Sequence, residues 1–149
     1  KELSDKGIKL NITAVFTFEQ TKKIYKKLNI TAVYTFEQTK KIYKNLNKKT
    51  KSIISIFAGR MADQGKDPTP IFKKSISLTK KNKNIEILWA STREAYNYTQ
   101  AKQLKCDIIT VPPKIIDKII SFGKKNFKTL TLETVNGFLS DSKKSKFNI

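Results

Sequence analysis

Short apolar runs alternate with longer segments of helical periodicity along most of the chain. Such runs, separated by amphipathic segments, are typical of strand–helix units in a parallel sheet with right-handed crossovers. The predicted strands are Ile8–Phe16, Asn29–Tyr34, Ile53–Phe57, Ile85–Ala90 and Asp107–Val111. The pattern therefore predicts an α/β fold with four to five parallel strand–helix units.

Two of the intervening helices have the starting signal known as a capping box. Thr17 is followed three residues later by Gln20, and Ser91 by Glu94. In this motif the first side chain accepts a hydrogen bond from a backbone N–H in the first turn, and the second side chain accepts one from the cap's own N–H. We therefore predict helices that begin after Thr17 and after Ser91.

Proline and glycine mark the remaining helix ends. Thr69 is predicted to cap the helix Pro70–Lys81 after a polar loop, with proline at the first helical position, where its missing N–H is not needed. Pro112 precedes another helix, which Gly123 ends. The residues Leu132–Lys146 are predicted to form a terminal amphipathic helix.

Residues 11–28 and 29–46 form a nearly identical repeat of 18 residues. The helix of the first copy runs into the second copy with almost no loop, whereas such connections usually take about 2 to 6 residues. The second copy reaches the next strand through a polar segment of ordinary length. We therefore predict that Asn29–Tyr34 is the strand beside Ile53–Phe57. A tandem duplication, or an assembly error in the sequence, explains the repeat better than a solenoid does.

An arginine follows the carboxyl end of the strand predicted at 53–57. Gly59 ends the apolar run and Arg60 comes next. Among 31 basic residues, all but Arg60 and Arg93 are lysines. Arginine offers a planar fork of donors that suits bidentate phosphate or carboxylate binding, although buried structural ion pairs use the same geometry. The two arginines are therefore candidate phosphate ligands.

Four segments, in order, resemble consecutive motifs of the transaldolase family. They are Asn-Ile-Thr-Ala-Val-Phe-Thr at 11–17, Ser-Ile-Phe-Ala-Gly-Arg-Met-Ala-Asp at 55–63, Ile-Leu-Trp-Ala-Ser-Thr-Arg-Glu at 87–94 and Asp-Ile-Ile-Thr-Val-Pro at 107–112. The resemblance covers nearly the whole chain. It implies a partial (β/α)8 TIM barrel, with residues 1–149 as a single domain that forms the carboxyl-terminal half and ends in a C-terminal helix.

The resemblance also implies a reaction and a set of site residues. Family members transfer a dihydroxyacetone unit between sugar phosphates through a lysine Schiff base, as in the pentose phosphate pathway, with no metal and no cofactor. No lysine here matches the Schiff-base position, so the chain alone is expected to be inactive. The matched catalytic positions are Asn29 and Thr31, or their repeat copies Asn11 and Thr13. The matched substrate and phosphate contacts are Ser55, Phe57, Arg60, Ser91 and Arg93.

Phe57 bears on which branch of the family the chain resembles. The fructose-6-phosphate aldolase branch carries tyrosine at this place, and its phenol adds a proton donor that phenylalanine lacks. Phe57 therefore favours transfer over simple cleavage. An aldolase-like lyase stays open as an alternative function, and core packing is the simpler role for an aromatic residue at a strand end.

The formal charge of +19 makes a nucleic-acid partner a hypothesis to consider. The lysines occur as pairs spread along predicted helices and loops, so we do not expect nucleic-acid binding. A non-catalytic basic module that binds phosphate or nucleic acid is the alternative. The single cysteine, Cys106, and the absence of long apolar runs predict a cytoplasmic protein without a membrane partner. A homo-oligomer is left open.

Overall fold

A computed structural model of the chain describes residues 28–145, which contain one sheet of four parallel strands. The strands are β1 (Leu28–Val33), β2 (Ser52–Phe57), β3 (Ile85–Ala90) and β4 (Ile108–Ile109). Their order in the sheet follows their order in the chain, and every neighbouring pair is parallel. All four therefore direct their carboxyl ends to the same edge of the sheet.

Helices alternate with these strands. They are α1 (Phe36–Asn45), α2 (Ala58–Ala62), α3 (Thr69–Thr79), α4 (Tyr96–Gln103), α5 (Pro113–Ile120) and α6 (Phe127–Ser145). The alternation confirms the predicted α/β class, and four parallel strands in sequential order form an open sheet like part of a TIM barrel. Over the described residues, no helix is both long enough and apolar enough to cross a membrane.

The two faces of the sheet carry different apolar clusters because side chains alternate along each strand. On one face, Ile54, Ile87 and Trp89 belong to the main core, and Phe72 of α3 stacks on Trp89 with ring centroids 4.5 Å apart. On the other face, Ile53, Leu88 and Ala90 form a smaller cluster with Phe57 and Ile108. Strands buried on both sides explain the continuous apolar runs of the sequence.

The second repeat copy supplies β1. Asn29 is paired with Ile53 and Ile30 with Ile54, which confirms the predicted pairing of this copy with β2. Helix α1 begins with a capping box in which Thr35 accepts from the N–H of Gln38 and the Gln38 side chain accepts from the N–H of Thr35. The strand of the first copy, the box of Thr17 and Gln20, and the residues Asn11 and Thr13 lie outside the described residues.

Two predicted helix starts were wrong. Thr69 is not a side-chain cap, because α3 begins there and its N–H is held instead by Asp67 Oδ1 at 2.8 Å. The hydrogen bonds from Thr69 lower the pKa of the Asp67 carboxyl below its ordinary value. Ser91 and Glu94 form no capping box, since Ser91 has a left-handed φ of 64° and α4 begins later, after Ala95.

Three further segments differ from the sequence prediction. Residues Ala58–Ala62, where the sequence predicted the end of the apolar run at Gly59 and a polar loop after Arg60, form helix α2 directly after β2. Strand β4 has two residues instead of five, and α6 begins at Phe127 instead of Leu132. Helices α5 and α6 contain no buried residue, and none of their residues belongs to the main core.

Candidate functional site

A cavity of about 340 Å³ lies on the face of the sheet that carries the smaller cluster and reaches the carboxyl ends of the strands. This volume is at the lower end of the range of about 300–1,000 Å³ that small-molecule sites occupy. Its lining residues are Asn29, Thr31, Ser55, Phe57, Arg60, Leu88, Ala90, Ser91, Arg93 and Thr110. The fold therefore brings every sequence-predicted site residue of the described part into one cavity.

Three polar residues of strands β1 and β2 line the cavity: Asn29, Thr31 and Ser55. Ser55 Oγ donates a hydrogen bond of 2.6 Å to Asn29 Oδ1. Ser55 is only 2% exposed, and its position alternates with the core residues Ile54 and Ile56. Asn29 is partly buried, so the hydrogen bond joins a buried hydroxyl to a side chain that water still reaches. The bond fixes the orientation of Ser55, because the buried hydroxyl would otherwise lose its partner.

Strand β1 is distorted beside the cavity. Ala32 has a positive φ of 62°, and the pairing with β2 shifts register between Ile30 and Val33. A left-handed alanine within a strand costs roughly 1 kcal/mol or more. Such irregularities change the direction of neighbouring side chains. Thr31, one of the two predicted catalytic positions, lies within this irregular stretch, directly before Ala32, and lines the cavity.

Arg60 enters the cavity from helix α2. Because this helix follows β2 without a loop, its first turn lies at the carboxyl end of the strand. The guanidinium carbon of Arg60 lies 5.9 Å from the centroid of the Phe57 ring, within the distance at which a cation and an aromatic face attract each other. Phe57 in turn contacts Tyr34 edge to face, with centroids 5.9 Å apart.

Arg93 reaches the same cavity from the loop after β3. Its backbone N–H donates to Asn97 Oδ1 at 3.0 Å, and the N–H of Glu94 donates to the same oxygen at 3.2 Å. Asn97 is buried in α4, so this loop is tied to a helix of the core. The guanidinium of Arg93 donates from Nη2 to Asp63 Oδ2 at 2.8 Å.

Gly59 allows the two arginine-bearing segments to touch. A Cβ atom at this position would lie 1.7 Å from the carbonyl oxygen of Ser91 and 2.8 Å from Cγ of Arg93. No side chain fits at such distances, and the backbone carbonyl cannot move aside as a flexible side chain can. Because glycine has no side chain, α2 can lie in direct contact with the Ser91–Arg93 loop.

Sequence reasoning missed three residues that support the arginines: Gly59 as a contact, Asp63 as an ion-pair partner and Asn97 as a backbone acceptor. The glycine was visible only as the end of an apolar run. Asp63 lies 30 positions from Arg93, and only the fold places its side chain beside the guanidinium. Asn97 lies four positions after Arg93, so its contact is local. No sequence pattern distinguishes either one from other polar loop or helix residues.

The chemistry available in the cavity is anion binding with neutral polar groups beside it. Two guanidinium groups supply positive charge and planar sets of donors, and Asn29, Thr31 and Ser55 supply hydroxyl and amide groups. Among residues 28–145, no group of three or more histidine, cysteine or acidic side chains is placed to hold a metal ion.

A larger cavity of about 540 Å³ is lined in part by residues at the amino ends of β3 and β4, such as Ile85 and Asp107. Four lysines and two carboxylates contribute to its lining, together with Ile76 and Leu104. It contains neither arginine and none of the predicted site residues. Size alone therefore favours the larger cavity as the ligand site. The set of polar residues and arginines favours the smaller cavity, which lies at the carboxyl ends of the strands, where parallel α/β folds bind ligands.

Comparison with known proteins gives a family and two relatives. The family model described as Transaldolase/Fructose-6-phosphate aldolase matches residues 26–149, a range that contains the second repeat copy and almost none of the first. A "Probable transaldolase" of Nitrosopumilus maritimus (strain SCM1) is 28% identical over 148 residues, covering 98% of this chain and 54% of that protein. Another of Clostridioides difficile (strain 630) is 27% identical over 142 residues, covering 95% and 53%. The chain spans about half the length of these curated relatives.

Proposed function

The chain belongs to the transaldolase/fructose-6-phosphate aldolase family, and from this premise we propose that its cavity binds the phosphate and hydroxyl groups of a sugar phosphate. The observation that carries the proposal is the convergence of Arg60 and Arg93, the two arginines of the chain, on one cavity. They come from the carboxyl ends of two adjacent strands. A phosphate held by two arginine forks accepts several charge-assisted hydrogen bonds at once.

We propose for the residues of the cavity the roles that the resemblance to the family implies, and their chemistry is compatible with these roles. Arg60, Arg93 and Ser91 bind the phosphate, and Ser55 donates to a substrate hydroxyl or keeps its bond to Asn29. Asn29 and Thr31 orient the reacting part of the substrate. The apolar ring of Phe57 excludes water beside Arg60 and supplies no proton, which favours transfer over cleavage.

In the complete reaction, a lysine amine adds to the ketose carbonyl and the adduct loses water to form a Schiff base. Cleavage of the bond between C3 and C4 of the ketose then releases an aldose, and the dihydroxyacetone unit left on the lysine adds to an acceptor aldehyde. Water hydrolyses the new Schiff base, which releases the product ketose and the free lysine. The relatives from Nitrosopumilus maritimus and Clostridioides difficile carry the name "Probable transaldolase". No lysine of residues 28–145 lines the cavity. No lysine of the sequence matches the family's Schiff-base position either, so we assign to this chain the phosphate- and substrate-binding half of such a transferase, without the Schiff-base lysine.

The phosphate site is tested by replacing each arginine with lysine. Arg60→Lys and Arg93→Lys keep the charge and lose the planar fork. We expect the affinity for inorganic phosphate and for fructose 6-phosphate to fall roughly tenfold, since a hydrogen bond to a charged group contributes about 1.5–3 kcal/mol and about 1.4 kcal/mol is tenfold. Isothermal titration calorimetry on the purified chain measures this change.

A matched control is Lys124→Arg, which exchanges the same two residue types on the exposed connection between α5 and α6. It should leave the affinity for phosphate unchanged. Equal affinities in Arg60→Lys, Arg93→Lys and the parent chain would contradict the proposed site.

The missing lysine is tested by trapping. A Schiff base is reduced by borohydride to a stable secondary amine, so a lysine that reacts with fructose 6-phosphate gains mass. We expect no site-specific adduct on this chain in intact-mass spectra. Modification of a single lysine that is lost when inorganic phosphate competes would show that the chain carries its own nucleophile. The proposal that this chain binds the substrate without the Schiff-base lysine would then be wrong.

A further inference from the structure

Asp63 contacts the candidate site through Arg93. The pair joins Arg93 Nη2 to Asp63 Oδ2 at 2.8 Å, with side chains 52% and 47% exposed. Asp63 does not line the cavity, whereas Arg93 does. One contact at Nη2 leaves the other guanidinium N–H groups free to donate to an anion. The carboxylate therefore fixes the arginine without occupying all its donors.

The carboxylate stands on a rigid support. Asp63 directly follows the last residue of α2, and its N–H donates to the carbonyl of Gly59 at 2.9 Å. The same short helix carries Arg60. Asp63 thus fixes the position of Arg93 relative to Arg60, although the two arginines lie on different connections of the sheet.

The remaining constraints on Arg93 act near its backbone. Asn97 holds the N–H, and Gly59 leaves room for Cγ. Neither contact restrains the far end of a side chain with several freely rotating bonds. Within residues 28–145, Asp63 is the acidic residue that forms an ion pair with this end. Ordering a free arginine at the moment of binding costs conformational entropy that the pair removes in advance.

We propose that Asp63 is a positioning residue of the anion site, which holds the guanidinium of Arg93 ready for the phosphate. The inference rests on the proposed phosphate-binding function. Two effects of the carboxylate oppose each other: it orients the arginine, and its negative charge repels an anion. Because the pair is about half exposed, water screens the repulsion, and the orienting effect dominates.

Two substitutions separate these effects. Asp63→Asn removes the charge and keeps an oxygen that accepts from Nη2, whereas Asp63→Ala removes both. We expect Asp63→Ala to weaken the binding of inorganic phosphate about two- to fivefold, the size that an exposed ion pair supports. Asp63→Asn should restore most of the affinity. Isothermal titration calorimetry with inorganic phosphate gives both values.

The chain offers a matched control. Glu133 pairs with Lys125 on α6 at 2.7 Å, with side chains 50% and 56% exposed, so Glu133→Ala removes a comparable ion pair outside the cavity. It should not change phosphate affinity. In the Arg93→Lys background, Asp63→Ala should have a much smaller effect than in the parent, because Asp63 acts through the arginine fork.

The outcomes also distinguish this inference from the function on which it rests. Phosphate binding that weakens in Arg93→Lys and stays equal or becomes tighter in Asp63→Ala overturns the role of Asp63 and leaves the phosphate site intact. An Asp63→Asn variant as weak as Asp63→Ala overturns it as well, since the amide oxygen can still accept the bond. Phosphate binding that is unaffected by either arginine substitution overturns the proposed function itself.

Discussion

At the scale of the residue, the site depends on what position 59 lacks. The two segments that carry Arg60 and Arg93 touch at Gly59, where an added Cβ would overlap the carbonyl oxygen of Ser91. The backbone conformation of Gly59 is not left-handed, so the requirement for glycine is steric. The left-handed backbone angles occur at other residues instead. Ser91, whose carbonyl faces Gly59, has a φ of 64°, and Ala32, which follows the cavity residue Thr31, has a φ of 62°.

The third left-handed residue has an ordinary explanation. Lys105 follows the C-cap of α4, a position where helices often end in this conformation. Ala32 lies within a strand and Ser91 directly follows one, so neither has such an explanation. Both flank the cavity, which agrees with the tendency of strained backbone to occur at functional sites.

The steric argument predicts the effect of Gly59→Ala. The new methyl group must separate α2 from the Ser91–Arg93 loop, so we expect a loss of about 1–3 kcal/mol in the free energy of unfolding and weaker phosphate binding. Urea denaturation and calorimetry measure the two quantities. Gly137→Ala is the control: it lies within α6 with open space around the new Cβ, and it should stabilise the chain by roughly 0.5–1 kcal/mol. A neutral Gly59→Ala would show that the two segments separate without cost.

At the scale of the element, helices α1 and α4 differ in whether the capping-box pattern of the sequence is formed in the structure. The pattern gives the start of α1 and does not give the start of α4. Thr35 and Gln38 form a complete box at α1, the counterpart of the box predicted in the first repeat copy. Ser91 and Glu94 have the same spacing but form none, because the chain turns left-handed at Ser91. Asn97 instead accepts from two backbone N–H groups of this loop. The same spacing thus leads to different structures when tertiary contacts impose a different backbone.

The box at α1 gives a prediction about stability. Thr35→Ala removes the acceptor for the N–H of Gln38, and we expect the free energy of unfolding to fall by about 1 kcal/mol. Thr35→Ser keeps the hydroxyl and should restore most of the loss. Urea denaturation followed by circular dichroism measures both variants. If alanine and serine prove equally stable, the box contributes nothing to α1.

At the scale of the whole molecule, the core and the apolar surface are distributed unevenly. The main core lies between strands β1 to β3 and helices α1 to α4, whereas α5 and α6 expose large apolar side chains. The most exposed of these are Phe127 at 88%, Phe138 at 70% and Ile120 at 62%. A stripe of this kind is typical of a surface that packs against further protein. The relatives, which are nearly twice as long, contain such additional protein.

The charge of +19 also belongs to this scale. Lysines line the larger cavity of about 540 Å³ and also occur on α1, α3 and α6. The described lysines therefore form no single patch that could face a groove of DNA. We expect duplex DNA to bind weakly, with a dissociation constant of roughly 10⁻⁴–10⁻⁶ M at physiological salt and a steep loss of affinity as salt rises. Fluorescence anisotropy with two unrelated duplexes at several salt concentrations measures this. Tight binding of one duplex over the other at physiological salt would favour a nucleic-acid module.

The sequence by itself determined the alternation of strands and helices and singled out the two arginines, while the other candidate site residues came from the resemblance to the family. The apolar runs located β2 and β3 closely, because both strands are buried on two faces and most of their residues are apolar. Loop length identified the second repeat copy as the strand beside β2, since a crossover needs room that the first copy lacks. Arginine usage singled out Arg60 and Arg93, which the fold then brought into one cavity.

The tertiary structure alone decided how those residues are held. Helix α2 has five residues, too few to show a helical repeat of apolar positions. Asp63 and Gly59 acquire their roles from the Ser91–Arg93 loop that folds against them, whereas Asn97 bonds to N–H groups three and four residues away. Local patterns predict local structure because they reflect hydrogen bonds and burial within a few residues. Contacts between distant segments depend on where the sheet brings the carboxyl ends of its strands, and no short stretch of sequence encodes that arrangement.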